Sequence, residues 1–372
     1  MRIRSILSVA VCALLCVSAG VNACSVPVFR YALERFDASL YRAVVFTNGP
    51  LSPKQKELAD ALKTLAAGEN AAANVEIEIV DLSAPGAEKP EWTPSAGTPL
   101  PWLVVGYPNG KLSQPAWAGP FETEAVRGLF DSPARREIVS RLLKGDSAVF
   151  LLLEGGNKKE DDAAEALLKK STEEMQKTLK LPEVDDDEGP QRLMADLPLK
   201  IAFSILRISA NDPAEKLFAQ TLLNSREPDK QPRPVVFPIF GRGHALADLA
   251  GERLSAETLA EAGEFICGAC TCTYKEQMPG LDLLVAADWK ALGSGKVVQD
   301  VPPALRGLPA LAEAAAGMQP SAPASAVPLA APKGTLTAFT LNISLLAVLG
   351  AVVLLVVIAG IALSIFGKKR PM

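Results

Sequence analysis

Histidine is nearly absent. His244 is the only one in 372 residues, which excludes metal sites built from several histidines and catalysis by a histidine pair. No phosphate-cradling glycine loop, dinucleotide fingerprint or nucleophile elbow occurs. A basic excess is missing too, with 38 Lys and Arg against 42 Asp and Glu, so the footprint of a nucleic-acid binder is not there and nucleic acid is not an expected partner. Charge of either sign vanishes from Ala338 to Phe366. About 20 apolar residues span a bilayer core, so this run predicts a transmembrane helix over 339–366 and a single-pass membrane protein. Lys368, Lys369 and Arg370 follow it. Such a basic flank marks the cytoplasmic side, leaving 367–372 as a cytoplasmic tail.

At the other end, Arg2 and Arg4 precede an apolar run from Ile6 to Val17, and Val21-Asn22-Ala23 closes the segment. This is the pattern of a signal peptide over 1–23, cleaved before Cys24. Asn22 departs from the lipoprotein box, so ordinary cleavage is expected, with lipidation of Cys24 as the alternative. Two basic residues lie in the leader and three in the tail, which leaves 33 against 42 acidic ones, an acidic extracytoplasmic part. Its roughly 280 residues suit two domains of about 100 to 150 residues each. The expected location is a bacterial inner membrane, with the N-terminal domains facing the periplasm.

Residues 24–40 form a lead-in expected to dock on the first domain through Val28, Tyr31, Leu33 and Phe36. Tyr41 to Asn48 is a valine-rich buried strand. Ser52, Pro53 and Gln55 make a capping box that opens a helix, and Leu58, Leu62 and Leu65 form its apolar stripe. Val75, Ile77 and Ile79 alternate with Glu76 and Glu78, a strand with one wet face. The proline-rich stretch 83–101 predicts a long surface loop. Trp102 to Gly106 is a third strand; Pro108-Asn109-Gly110 is a turn, with a fourth strand from Lys111. A helix capped by Ser132 and Pro133 turns Ile138, Val139, Leu142 and Leu143 inward.

The order then starts again. Ser147 to Glu154 is a buried strand, Asp162 to Leu179 an amphipathic helix, and Leu199 to Ser209 a strand. Asp212, Pro213 and Glu215 open a short helix by the capping-box pattern. Pro234 to Phe240 is a strand, Gly241-Arg242-Gly243 a turn, His244 to Leu249 its return, and Ser255 to Cys267 a closing helix. Pro101 and Pro234 each open an apolar strand, and the turn glycines Gly110 and Gly243 follow at the same offset, the mark of a tandem repeat. Strand, helix, strand, proline-started strand, hairpin and closing helix resemble the thioredoxin fold. The resemblance implies an α/β fold class: two tandem thioredoxin-like domains, 41–145 and 147–290, plus a C-terminal single transmembrane helix. It also implies a peptide-binding edge beside Pro101 and Trp102 or beside Pro234 and Val235. The family's redox chemistry does not carry over. Asn48-Gly49-Pro50-Leu51-Ser52 and Gly155-Gly156-Asn157 hold no cysteine where a helix N-terminus would stabilise a thiolate.

Cysteine gathers elsewhere, at Cys267, Cys270 and Cys272, with Cys24 the fourth in the exported chain. Four exported cysteines most simply form two disulfides, one of them tying Cys24 to the cluster. No cofactor is expected on that reading. The alternative use of Cys24, Cys267, Cys270 and Cys272 is thiol redox or a soft metal, copper or zinc. His244, behind a glycine turn, reads as a surface hairpin residue. Gly241-Arg242-Gly243 needs only a turn to explain it, although its backbone could also hold an anion. Asp185-Asp186-Asp187-Glu188 lacks the spacing of a calcium loop and reads as a solvated loop.

Residues 291–338 are rich in Ala, Pro and Gly, including Pro302-Pro303 and Pro309, and predict a semi-rigid tether. Within the apolar run Ser344, Ala347 and Ala351 share a face, and Gly360 with Ser364 repeats a spacing that lets helices pack closely. The segments Cys24 to Leu33 and Gly241 to Gly243 resemble those of uncharacterised bacterial envelope proteins with the same leader, paired domains and anchor. That likeness implies no activity. The expected function is a non-catalytic, membrane-anchored binding or accessory protein with an envelope protein as partner. The alternative is thiol–disulfide or soft-metal transfer through the cysteine cluster.

Overall fold

A computed structural model describes residues 25–66, 73–86, 90, 92–110, 112, 114–184, 193, 195, 197–227, 231–270, 280–289 and 292. The expected signal peptide, the tether apart from Leu292, the transmembrane run and the tail lie outside these residues, as do Cys24, Cys272 and Asp185–Glu188. Among the described residues no helix is long and apolar enough to cross a membrane.

The chain opens with α1 (Val28–Arg35), then β1 (Tyr41–Thr47), α2 (Pro53–Ala66), β2 (Val75–Asp81), β3 (Trp102–Gly106), β4 (Trp117–Pro120), α3 (Thr123–Phe130) and α4 (Pro133–Leu143). A second run follows: β5 (Ala148–Leu153), α5 (Lys158–Thr178), β6 (Phe203–Ile208), α6 (Lys216–Asn224), β7 (Val235–Phe240), β8 (His244–Leu246), β9 (Leu249–Ala250), α7 (Ala256–Cys267) and β10 (Gly280–Asp282). Each run builds one mixed sheet, so the fold is α/β with two sheets. The first has the order β2-β1-β3-β4, with β1 parallel to β2 and β3 antiparallel to both neighbours. The second repeats that order as β6-β5-β7-β8 with the same directions, extended by β10 beyond β8. An inner strand packed on both faces must be apolar throughout. β5 meets that demand with every residue buried.

Local chemistry sets the helix starts. Ser52 N–H donates to Gln55 Oε1 (3.0 Å) and Gln55 N–H to Ser52 Oγ (3.4 Å), the reciprocal box that opens α2. Leu58, Leu62 and Leu65 of α2 then pack in one core with Ala43 and Val45 of β1, each leucine contributing about 1.5–3 kcal/mol by burial. The other face of β1, Val44 and Phe46, is roofed without a helix. Trp92 and Leu100 from the proline-rich connection cover it, together with Trp102. Gly106 admits the Trp92 ring, which a Cβ there would meet at 2.3 Å.

Three expectations need correction. The fourth strand begins at Trp117 and not at Lys111, because Pro108–Gly110 tighten into a 3₁₀ turn and pairing resumes only where Ala116 N–H reaches Val105 O (2.8 Å). The lead-in docks on the second sheet and not on the first: Val26, Val28, Phe29 and Ala32 share a core with Phe150, Phe240 and Ile266. Gly241, at φ +59°, lets the turn approach α1 so closely that a Cβ would stand 2.6 Å from that of Ala32. Arg242 then donates to the Leu33 and Glu34 carbonyls (2.9 and 2.8 Å), satisfying the C-terminal end of α1. Thirdly, Glu215 does not cap its own helix, since its carboxylate accepts from Ala134 N–H (2.7 Å) at the start of α4.

Those crossings join both sheets into one compact unit. Leu284 and Ala286, after β10, complete the core under the first sheet. Arg135 of α4 lies fully buried at the same junction, with Nε donating to Leu284 O (2.9 Å) and Nη1 to Gly128 O (3.1 Å). Its guanidinium rests 4.4 Å from the Phe218 ring. Burial pulls its pKa down to about 10, while the nearby Glu215 carboxylate opposes that fall.

Candidate functional site

In each half the loop where the expected fold would carry its site is the one between the first strand and the helix after it. In the second half this is Glu154 to Asn157, entering α5. Gly155 is required there: a Cβ would lie 2.3 Å from the Arg233 carbonyl carbon and 2.7 Å from Pro234 N. No side chain of any kind fits at that point. Asp161, itself buried, turns back to accept from Gly155 N–H (2.7 Å) and Gly156 N–H (3.2 Å), while Asn157 Oδ1 accepts from Lys159 N–H (3.1 Å). The Gly155, Gly156 and Lys159 amide donors are therefore already used by the chain. Arg207 of β6 binds Glu154 (2.6 Å), Asp162 (2.9 Å) and Glu165 (2.7 Å), fixing α5 to the sheet. Lys158 and Arg207 hold the Asp162 carboxyl below its usual range, and Lys169 and Arg207 do the same for Glu165.

Beside this loop opens a cleft of about 480 Å³. Ala164 and Leu167 of α5, Pro232, Pro234 and Leu254 give it apolar walls, and Glu160 and Arg233 bring charge. A concave, mainly apolar surface with a few polar groups is the usual form of a binding site. In the first half the corresponding loop is wet. Gly49 N–H donates to Asp81 Oδ1 (2.9 Å), and Ser83 gives the same oxygen its N–H (2.9 Å) and hydroxyl (2.7 Å). These donors, Gly49 first, hold the Asp81 carboxyl below its ordinary range.

The four residues expected to form a peptide-binding edge occupy inner strands or their starts. Trp102 is paired with Phe46 on one side and Pro120 on the other, and Pro101 O accepts from Phe121 N–H (3.1 Å). Leu100–Pro101 is the one cis peptide bond among the described residues. Val235 is buried between Leu153 and Ala250. A strand paired on both sides has no edge to offer. Of the four residues only Pro234 lines the cleft.

The cysteines also depart from expectation. Cys267 ends α7, is buried and is a free thiol, whereas two disulfides were expected. Burial pushes its thiol up to about 12, far from a reactive thiolate. Cys270 is buried beside it in the same core and its N–H donates to Val26 O (2.9 Å). Among the described residues no group of three or more His, Cys, Asp or Glu stands together as a metal site. Cys24 and Cys272 lie outside those residues.

His244 is not the surface hairpin residue its turn suggested. It is buried, with Nδ1 2.8 Å from Asp282 Oδ1 and its ring edge-on to Phe240. Asp282 Oδ2 accepts from Ser39 N–H (2.7 Å), and the Tyr41 hydroxyl donates to Asp282 O (2.8 Å). The group pins β8, β10 and the approach to β1 together. Its only sequence signal is an aspartate 38 residues beyond the histidine, which no local pattern connects. No known protein family, characterised protein or solved structure matches this chain.

Proposed function

We propose that the chain is a membrane-anchored extracytoplasmic binding or accessory protein made of two tandem, catalytically silent thioredoxin-like domains that serve an envelope partner. The sheet order, with the third strand reversed in both halves, supports the likeness to thioredoxin. The uncharged run 339–366 with its basic flank supports the anchor, and the leader pattern supports export to the periplasm of a bacterium. The observation that carries the reading is the loop before α5. A position that would bear a nucleophilic cysteine is sterically closed by Gly155, and its amide donors are taken by Asp161. What remains is a place to bind: the cleft beside Pro234, which Leu167, Pro232 and Leu254 line with apolar groups and which we assign to a segment of the partner. Weighing against thiol chemistry is the depth of Cys267 and its raised pKa.

A photo-crosslinking amino acid placed at Leu167 in membrane-embedded protein tests this. The expected result is one identified envelope protein captured from Leu167 and not from the exposed Lys170 on the same helix. Equal labelling from both positions, or turnover of a disulfide substrate that depends on Cys267 or Cys270, would overturn the reading.

A further inference from the structure

A sheet edge is a row of unpaired amides and carbonyls, which a chain must shorten, plug or leave to a partner. The edge strands are β2 and β4 in the first sheet, β6 and β10 in the second. β10 has three residues and β4 four, and Asn224 of α6 donates to Ala116 O (3.0 Å) where β4 begins. β6 is longer but plugged. Ala202 O and Ile208 O accept from the N–H groups of Ser147 and Glu154, so Phe203 and Ile205 turn theirs away from β5. There Phe203 N–H donates to Gln176 Oε1 (3.0 Å), and Ile205 O accepts from Arg141 Nη1 (2.9 Å). β2 has seven residues and no such plug at its centre. Tyr41 N–H donates to Asn74 O and Leu82 N–H to Thr47 O (2.9 Å each), so Glu76 and Glu78 bond to β1 while Ile77 and Ile79 turn outward. Among the described residues nothing bonds to the outward groups of Ile77 and Ile79. The side chains alternate with them. Glu76 and Glu78 stand exposed on one face, the second of them 2.7 Å from the equally wet Arg42, and on the other face Ile77 is half-buried and Ile79 exposed.

We infer that β2 is a docking edge for an extended segment of a partner protein in which basic and apolar residues alternate. The segment adds a strand to the first sheet by bonding to the backbone of Ile77 and Ile79. Its basic side chains lie beside Glu76 and Glu78, and its apolar ones beside Ile77 and Ile79, the cross-strand pairs that favour a sheet. A second copy of this chain is the wrong occupant. Two-fold antiparallel pairing sets outward residues opposite outward residues, so any register centred on Glu76, Ile77 or Glu78 places glutamate opposite glutamate. The edge belongs to the first half and stands whether or not the cleft beside Pro234 holds a partner.

The test uses the full chain in detergent and two short fluorescent peptides, one alternating lysine with valine and one alternating glutamate with valine. The lysine peptide should bind about tenfold tighter or more, and it should slow hydrogen exchange at the Ile77 and Ile79 amides but not along β6. Glu76→Lys combined with Glu78→Lys changes only exposed side chains and should reverse the preference. N-methylation of the peptide's valines removes the donors that face β2 and should abolish binding, whereas attraction to an acidic surface alone would survive it. Equal binding of the two peptides, binding by the N-methylated peptide, or slowed exchange along β6 as well as β2 overturns the inference. So does protection of Ile77 and Ile79 that rises with protein concentration in the absence of peptide, the signature of a second copy.

Discussion

The two sheets share one strand order but close the same loop in opposite ways. Before α2 the chain is open: a Cβ on Gly49 would meet no atom within 4 Å, and Asp81 gathers its donors in water. Before α5 the chain is pressed onto Arg233 and Pro234, and a buried Asp161 holds the loop from beneath. Their coverings differ as well. The far face of the first sheet is roofed by Trp92 and Leu100 from an irregular connection, whereas the second sheet takes in the lead-in helix. Topology thus settles where a site lies, and side-chain packing settles whether it is closed, wet or clefted.

The largest expected effect comes from cutting the tie between the halves. Arg135→Ala removes the donors to Leu284 and Gly128 and the buried positive charge near Glu215; a loss of about 2–4 kcal/mol is expected in urea denaturation. The two sheets should then unfold in separate steps, the first followed by its tryptophans. A single transition with a loss under about 1 kcal/mol would place the tie elsewhere. Arg135→Met, similar in length and uncharged, should cost much less.

Gly155→Ala against Gly49→Ala sharpens the contrast between the loops. The first forces a methyl into backbone and should cost about 1–3 kcal/mol by overpacking. The second has space and only the strain of φ +88°, so about 1 kcal/mol is expected. Equal losses at the two sites, measured by denaturation midpoint, would show that the loops are closed alike.

A smaller effect belongs to acid. Asp81 is held below its ordinary pKa of 3.8 in the folded chain, so its stabilising contribution is complete above that value and is lost as pH falls through the folded pKa. Asp81→Asn should therefore flatten the fall in stability between pH 5 and the acid limit, pH bounds set by the roughly 1-unit tails of that titration. An unchanged acid profile would remove Asp81 from the account of the wet loop.

Much of the fold was legible in local patterns. The Ser52–Gln55 box, the Ser132–Pro133 start and the Ser255 cap, which accepts from Thr258 N–H (3.2 Å), each act within four residues, so sequence neighbours suffice to find them. The candidate site was legible only in part. Missing cysteines at the two loops could be read directly, and of the residues singled out Pro234 lines the cleft. Val235 was not visible as an inner residue, because β9 supplies its second partner from 15 residues on. Glu215 carried a true capping signal, yet the helix it caps begins some 80 residues earlier.

The amino-acid order by itself determined the uncharged C-terminal run, the acidic balance, the repeated element order and the absence of thiols at both helix starts. Composition and period are properties of neighbouring residues, and they survive without knowledge of contacts. Only the tertiary structure decided that the lead-in belongs to the second sheet, that His244 is buried against Asp282, that Cys267 stays a thiol, and that Gly155 seals one loop. Each depends on which distant segments pack together. That choice is made by the joint burial of both surfaces and the pairing of their polar groups, which no single segment encodes.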